Sequence, residues 1–425
     1  MFVRGSYHLA AAAAVSLAAC AATAVPASAA GSAAGGHTVT ASIAVGSSPI
    51  GVAVDAAAHT AYVTNVNDDT VSVIDETTRT VTATLTVGGG PLAVAVDPAV
   101  HAAYVANGGN GTVSVIDETT GAVTGTIAVG SGPDGMAVDT AAHTLYVANG
   151  GSNTVSVIDE TTGAVTGTIA VGSDPDGVAV DAAAHTVYVT NIATDTVSVI
   201  DETTGAVTGT IAVGAGPDGV AVDPAAHTAY VADGGGSTVS VIDETTGAVT
   251  GTIAVGSGPD GVAVDAAAHT VYVANFGGAV SVINETTGTV TATVPVGADP
   301  SGMAVDSSTH TAYVTNGGGS TVSVIGAARP ASVTKVTSSR NPSSAGHAVT
   351  FTATVGPADG GTVKFSSGAK VLCQVVSLTH VSGSSYRAVC TTKALPAGRD
   401  AITAAYPGDA GYAKSSGRYT QTVRT

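Results

Sequence analysis

The chain has 425 residues, enough for two or three domains with their own cores, yet only 10% of them are charged and none is Trp. The charge is divided: residues 37–328 hold 28 Asp plus Glu and one cation, Arg79, whereas residues 329–425 hold 11 Lys plus Arg and three Asp. Such a split points to two domains facing different partners, and phosphate repulsion excludes nucleic acid as a ligand of the acidic part.

The first segment reads as an export signal. Arg4 supplies a short positive region, Leu9 to Val25 an apolar run, and Ala27-Ser28-Ala29 a small-residue cleavage site. Residues 1–29 are therefore expected to be a signal peptide and 30–36 a linker. A second processing route stays open, because Leu17-Ala18-Ala19-Cys20 resembles a lipoprotein cleavage box that would leave Cys20 lipidated. No other stretch is long and apolar enough to span a bilayer. The expected location is extracellular, either secreted or attached to the envelope.

From residue 37 to 326 internal repetition dominates. Pro recurs at 49, 91, 133, 175, 217, 259 and 300, with an Asp six residues after each and a Tyr seven residues further on. Each copy carries four short runs rich in Val, Ile, Thr and Tyr, bounded by Gly, Asp, Asn or Pro. Four strands per repeat, seven times over, predict a seven-bladed β-propeller. The last copy stops at Ile325-Gly326 without a fourth strand. The run from His37 to Gly46 matches that missing piece, so it is expected to complete the last blade and close the ring, removing the exposed edge. The stretches Tyr62-Val63-Thr64-Asn65, Tyr188-Val189-Thr190-Asn191 and Tyr313-Val314-Thr315-Asn316, with the variant Tyr104-Val105-Ala106-Asn107, resemble the YVTN-repeat β-propeller family. That resemblance implies a surface or envelope protein, and some relatives are lactonases.

Residues 327–332 read as a linker and 333–425 as a small β-sandwich. Gly346-His347-Ala348-Val349-Thr350-Phe351, Gly361-Thr362-Val363-Lys364-Phe365 and Tyr406-Pro407-Gly408-Asp409 resemble the bacterial Ig-like repeat of group 3, which implies a spacer or adhesive module. Cys373 and Cys390 are expected to form a disulfide in an exported domain.

Candidate site residues come from comparing the copies. The loops between second and third strands vary most, for example Asn65-Val66-Asn67-Asp68-Asp69 against Asn275-Phe276-Gly277-Gly278, and varied loops on a rigid scaffold are where recognition resides. The position after each Pro is Asp in four successive blades: Asp134, Asp176, Asp218 and Asp260, with Asp174 and Asp299 nearby. Two accounts stand. The carboxylates form an arc that takes a cation such as Ca2+ or a cationic ligand, or each Asp merely caps its own turn. Phe276 is expected either to stack on a sugar or peptide or to fold onto its own blade. The seven recurring histidines, from His59 to His310, read as structural, too far apart to share one metal. The Asp-Glu doublets such as Asp75-Glu76 and Asp159-Glu160 read as solvated turn residues. No catalytic residue is assigned and no cofactor beyond the Ca2+ alternative. The expected function is a secreted or cell-surface binding or structural protein, a monomer, whose head recognises an extracellular protein, glycan or cell-wall polymer. The alternative is a lactonase-like hydrolase using a metal in the acidic arc.

Overall fold

The structure is a computed structural model; it describes residues 36–358 except 328–331, then 360–408 and 412–425. The signal segment 1–29, Cys20 and residues 30–35 lie outside the described residues. The chain divides into two compact units, Met1–Ala327 and Ala328–Thr425.

The first unit consists of repeated four-stranded antiparallel sheets, seven among the described residues. The first is built from Pro49–Asp55, Thr60–Asn65, Thr70–Asp75 and Thr80–Thr86, in that order, and the next five repeat the plan. Sequence-adjacent strands pair because tight turns join them. In the turn after each first strand the Asp carboxylate caps the backbone: Asp55 Oδ1 accepts from the N–H groups of Ala57 and Ala58 at 2.8 and 3.0 Å. The same turn ends on a His at positive φ, 51° at His59 and 52° at His143. His is one of the few residues other than Gly that adopts this region with any frequency.

The last sheet departs from the plan in the way the orphan segment foretold. Its strands are Pro300–Asp306, Thr311–Asn316 and Thr321–Ala327, and its outer strand is His37–Ala44, antiparallel to Thr321–Ala327 with His37 opposite Ala327 and Ala44 opposite Thr321.

Apolar residues face both sides of each middle strand, because each sheet is covered on both faces by its neighbours. In Ala102–Asn107, Tyr104 and Ala106 pack with Leu145 and Val147 of the following sheet. Ala103 and Val105 pack with Tyr62 and Val71 of the preceding one. The layer that joins the last sheet to the first contains Tyr313, Val322 and Val324 on one side and Val52, Ala61 and Val63 on the other. The first strands of successive sheets also run beside one another, including Pro300–Asp306 beside Pro49–Asp55.

The second unit has two sheets. One contains Val333–Ser338, Val349–Gly356, Ser385–Thr392 and Thr379–Ser382; the other contains Ser343–Ser344, Ser415–Arg424, Gly398–Tyr406, Thr362–Ser367 and Lys370–Ser377. Phe351, Phe365, Ile402 and Cys390 are buried between them.

Candidate functional site

The two ends of each first strand carry different chemistry. A seven-residue strand separates its ends by roughly 20 Å, so they form two distinct places.

At the start of the strand lies the acidic series. Pairing between first and second strands is interrupted right after the Pro: Pro133 opposes Asn149, and regular pairing resumes only at Met136 opposite Val147. The same break recurs at Pro175, Pro217 and Pro259. Asp134, Asp176, Asp218 and Asp260 thus all sit in a bulge, a feature that re-aims side chains. The bulge also brings each strand against the next sheet. A Cβ on Gly135 would run into the carbonyl oxygen of Asp176, so only Gly allows this approach. Asp176 is 6% exposed, and the other three are half-buried. The carboxylates reach different neighbours. Asp260 Oδ2 accepts the Ser301 hydroxyl of the next sheet at 2.9 Å. Asp218 Oδ2 lies against Gly234, in the loop between second and third strands of its own sheet. Phe276 occupies the equivalent loop two residues before Gly278, with its N–H bonded to the Gly258 carbonyl at 2.8 Å. Asp174 and Asp299 are at positive φ in the preceding loops, 56° and 53°. The four Asp residues occupy the same end of the first strands in four successive sheets. Among the described residues, the groups of three His, Asp or Glu side chains close enough to share an ion lie elsewhere.

Those groups are at the opposite end of the first strands, and they correct the reading of the doublets. The Asp of each doublet is solvated: Asp75 accepts from the Thr78 N–H, which holds its carboxyl below the ordinary range. The Glu is not. Glu76 is 8% exposed and its carboxylate enters the contact with the neighbouring sheet, facing Tyr313 and Asp306. Glu118 faces Tyr62 and Asp55, and Glu160 faces Tyr104 and Asp97. Glu202, Glu244 and Glu285 repeat the arrangement with Tyr146, Tyr188 and Tyr230. Both oxygens of each of these Glu residues are buried without a direct hydrogen bond of good geometry. Burial, reinforced by the adjacent Asp, pushes Glu118 up to about 7 and Glu160 up to about 8. Burial also raises each facing Tyr, so the phenols stay neutral.

The histidines belong to the same clusters. In the first six sheets the His carbonyl accepts the N–H of the same sheet's Glu, as His143 does from Glu160 at 3.0 Å. His143 Nδ1 is 3.8 Å from Asp97 Oδ2, and His185 Nδ1 is 3.8 Å from Glu202 Oε2. Among the described residues they do not meet one another; His59 and His143 each join two carboxylates, and His185, His269 and His310 each lie beside one. The contact between sixth and seventh sheets is the exception, since the seventh sheet has no doublet. There His310 Nδ1 bonds Asp265 Oδ2 at 2.8 Å, and the His37 ring packs edge-on against Tyr272 with centroids 5.7 Å apart. The sequence carried a signal for this: His and Glu recur 17 residues apart, as in His59 and Glu76 or His143 and Glu160.

In the second unit, Cys373 and Cys390 form a disulfide with Cα atoms 6.1 Å apart, joining Lys370–Ser377 of one sheet to Ser385–Thr392 of the other. The family model of the bacterial Ig-like domain (group 3) matches residues 336–424. The second unit is a bacterial Ig-like domain. Its match covers both sheets and the disulfide that links them. Comparison with curated proteins finds no match. Among solved structures, the chain is similar to Kuenenia stuttgartiensis hydrazine synthase, with TM-score 0.60 and 21% identity over 65% of this chain and 95% of that one. At that identity the likeness is one of fold, a propeller-like array of sheets. No helix among the described residues is long and apolar enough to cross a membrane.

Proposed function

We propose that the first unit is a seven-bladed β-propeller that acts outside the cytoplasm as a recognition head for a cationic ligand, with the Ig-like domain as its spacer and wall-contact module. One observation carries this reading. Four consecutive sheets place an Asp in the bulge at the same end of their first strands, beside the loops whose sequences differ most from copy to copy. Adjacent carboxylates of one sign focus a negative field and attract counter-ions or basic segments of a partner. Loops on a rigid frame supply specificity without disturbing the frame. The excess of Lys and Arg in the Ig-like domain suits it to anionic wall polymers, and its disulfide suits an oxidising compartment.

The test is calorimetry of the full chain with Ca2+ and, separately, spermine. Binding that falls at least tenfold when Asp134, Asp176, Asp218 and Asp260 are changed together to Asn supports the reading. A chain that binds neither probe, or a quadruple variant that binds as well as the parent, removes it. For the wall-contact role, retention of the full chain on cell-wall preparations should be lost between about 50 mM and 500 mM salt, as screening shortens the reach of exposed charge.

A further inference from the structure

Asp97, His143 and Glu160 meet where the second sheet packs on the third, each offering one ligand atom, all within 4.8 Å of one another. Asp97 is fully buried. Its Oδ1 accepts the Ala99 N–H at 2.8 Å, whereas its Oδ2 points toward His143 and makes no hydrogen bond of good geometry. Both Glu160 oxygens are likewise buried without a hydrogen bond of good geometry, facing only Tyr104 and Asp97. The Tyr104 phenol is the one hydroxyl that faces this pair, so two buried carboxylates stand together with few donors, a costly arrangement that a cation between them relieves. The same three residue types, His59, Glu76 and Asp306, meet where the last sheet packs on the first. There Glu76 is 8% exposed with both oxygens unpartnered, while Asp306 is already held by Ser308 and Thr309.

We propose that Asp97, His143 and Glu160 bind a divalent metal ion of the zinc class, and that His59, Glu76 and Asp306 form a second, weaker site of the same kind. The donor set decides the class. One imidazole with two carboxylates suits Zn2+ or Mn2+, and two carboxylates neutralise a dication. Zinc–ligand bonds of about 2 Å place tetrahedral ligand atoms about 3.3 Å apart. His143 Nδ1 and Asp97 Oδ2, at 3.8 Å, need only a small inward swing. The His143 side chain is 45% exposed, which provides both the freedom to move and a route of entry. Asp97 comes from one sheet and His143 with Glu160 from the next, so a bound ion ties neighbouring sheets together. The site lies at the opposite end of the first strands from the acidic series and does not depend on it.

The experiment uses the full chain, stripped with chelator and titrated with Zn2+ by calorimetry, with Mn2+ in a parallel arm and thermal unfolding as a second readout. The parent should take up at least one tight equivalent and unfold at higher temperature when loaded. Asp97→Asn and His143→Gln should each abolish the tightest equivalent, weakening it more than tenfold, with unchanged circular dichroism. His59→Gln should remove a weaker one. His143→Gln changes an exposed side chain, so it reports even if Asp97→Asn folds poorly. The proposal is overturned if micromolar Zn2+ does not bind, if His143→Gln leaves the tightest equivalent in place, or if a folded Asp97→Asn chain binds as the parent does, which marks lone surface histidines as the source. Anomalous scattering at the zinc edge should peak between the three side chains; a peak elsewhere overturns the assignment.

Discussion

The Thr315 hydroxyl donates to the Ile50 carbonyl oxygen at 2.7 Å across 265 positions of sequence, while accepting the Gly302 N–H at 2.9 Å. It fastens the last sheet to the first. Thr64 does the same from the first sheet to Leu92, and Thr190 from the fourth to Asp218, at 2.8 and 2.6 Å. In the remaining sheets the position is Ala106, Ala148, Ala232 or Ala274, and this bond is missing.

Thr315→Val keeps the shape and removes the hydroxyl. It leaves Ile50 O and Gly302 N without this partner, at a cost of about 1–3 kcal/mol. The urea midpoint of the first unit should fall accordingly, with the m-value unchanged. A midpoint equal to the parent's would mean that water replaces the bond at no cost.

Asp233 stands where the other sheets have Asn, fully buried, with the Thr238 and Ser240 hydroxyls donating to its Oδ2 at 2.9 Å each. In the second sheet the direction is reversed, and Asn107 donates to Thr112 and Ser114. Burial raises the Asp233 carboxyl above its ordinary 3.8. The folded state therefore holds the proton longer than the unfolded state, so stability is fullest below that value and falls as pH rises through the folded pKa. Asp233→Asn should remove this decline. Thermal melts from pH 4 to 7 check it: the melting temperature should fall less steeply with pH in the variant than in the parent, the slope that remains belonging to the buried Glu residues; equal slopes would remove Asp233 as a source.

Glu244 is pushed up to about 7 by burial and by Asp181 beside it. The sign is the same, so its contribution declines as pH rises from about 4.5 through 7. With chelator present, Glu244→Gln should be more stable than the parent at pH 8 and lose that advantage by pH 5. An equal difference at both pH values would show that the carboxylate stays ionised throughout.

The Cys373–Cys390 bridge closes a loop with a sequence separation of 17. Constraining such a loop contributes about 3 kcal/mol. Reduction should lower the unfolding transition of the Ig-like domain and leave that of the first unit in place. Calorimetric scans with and without reductant distinguish the two.

The repeated sheets, the completing role of residues 37–44 and the cysteine pair were all legible in sequence. Each depends on local pattern: a spacing, a missing strand, a count. The doublets were misread for the opposite reason. Within its own sheet Glu118 sits in an exposed-looking turn, and only the neighbouring sheet, bringing Tyr62 and Asp55, buries it. The histidines were correctly kept apart from one another, but their carboxylate partners came with the same packing. For the acidic series the sequence placed Asp134, Asp176, Asp218 and Asp260 in adjacent copies. It did not reveal the bulge that turns their backbone toward the next sheet, nor that Asp218 lies against Gly234 and Asp260 holds Ser301.

Because His37–Ala44 is the outer strand beside Thr321–Ala327, nearly three hundred residues must be in place before that early segment finds its partner. During synthesis it waits, unpaired, for the last repeat to appear. Closing that pair carries the largest loop-closure cost in the first unit, and it is set by connectivity rather than by any single weak contact. A circularly permuted chain that opens between two sheets instead would make every sheet contiguous in sequence and give that strand an early neighbour.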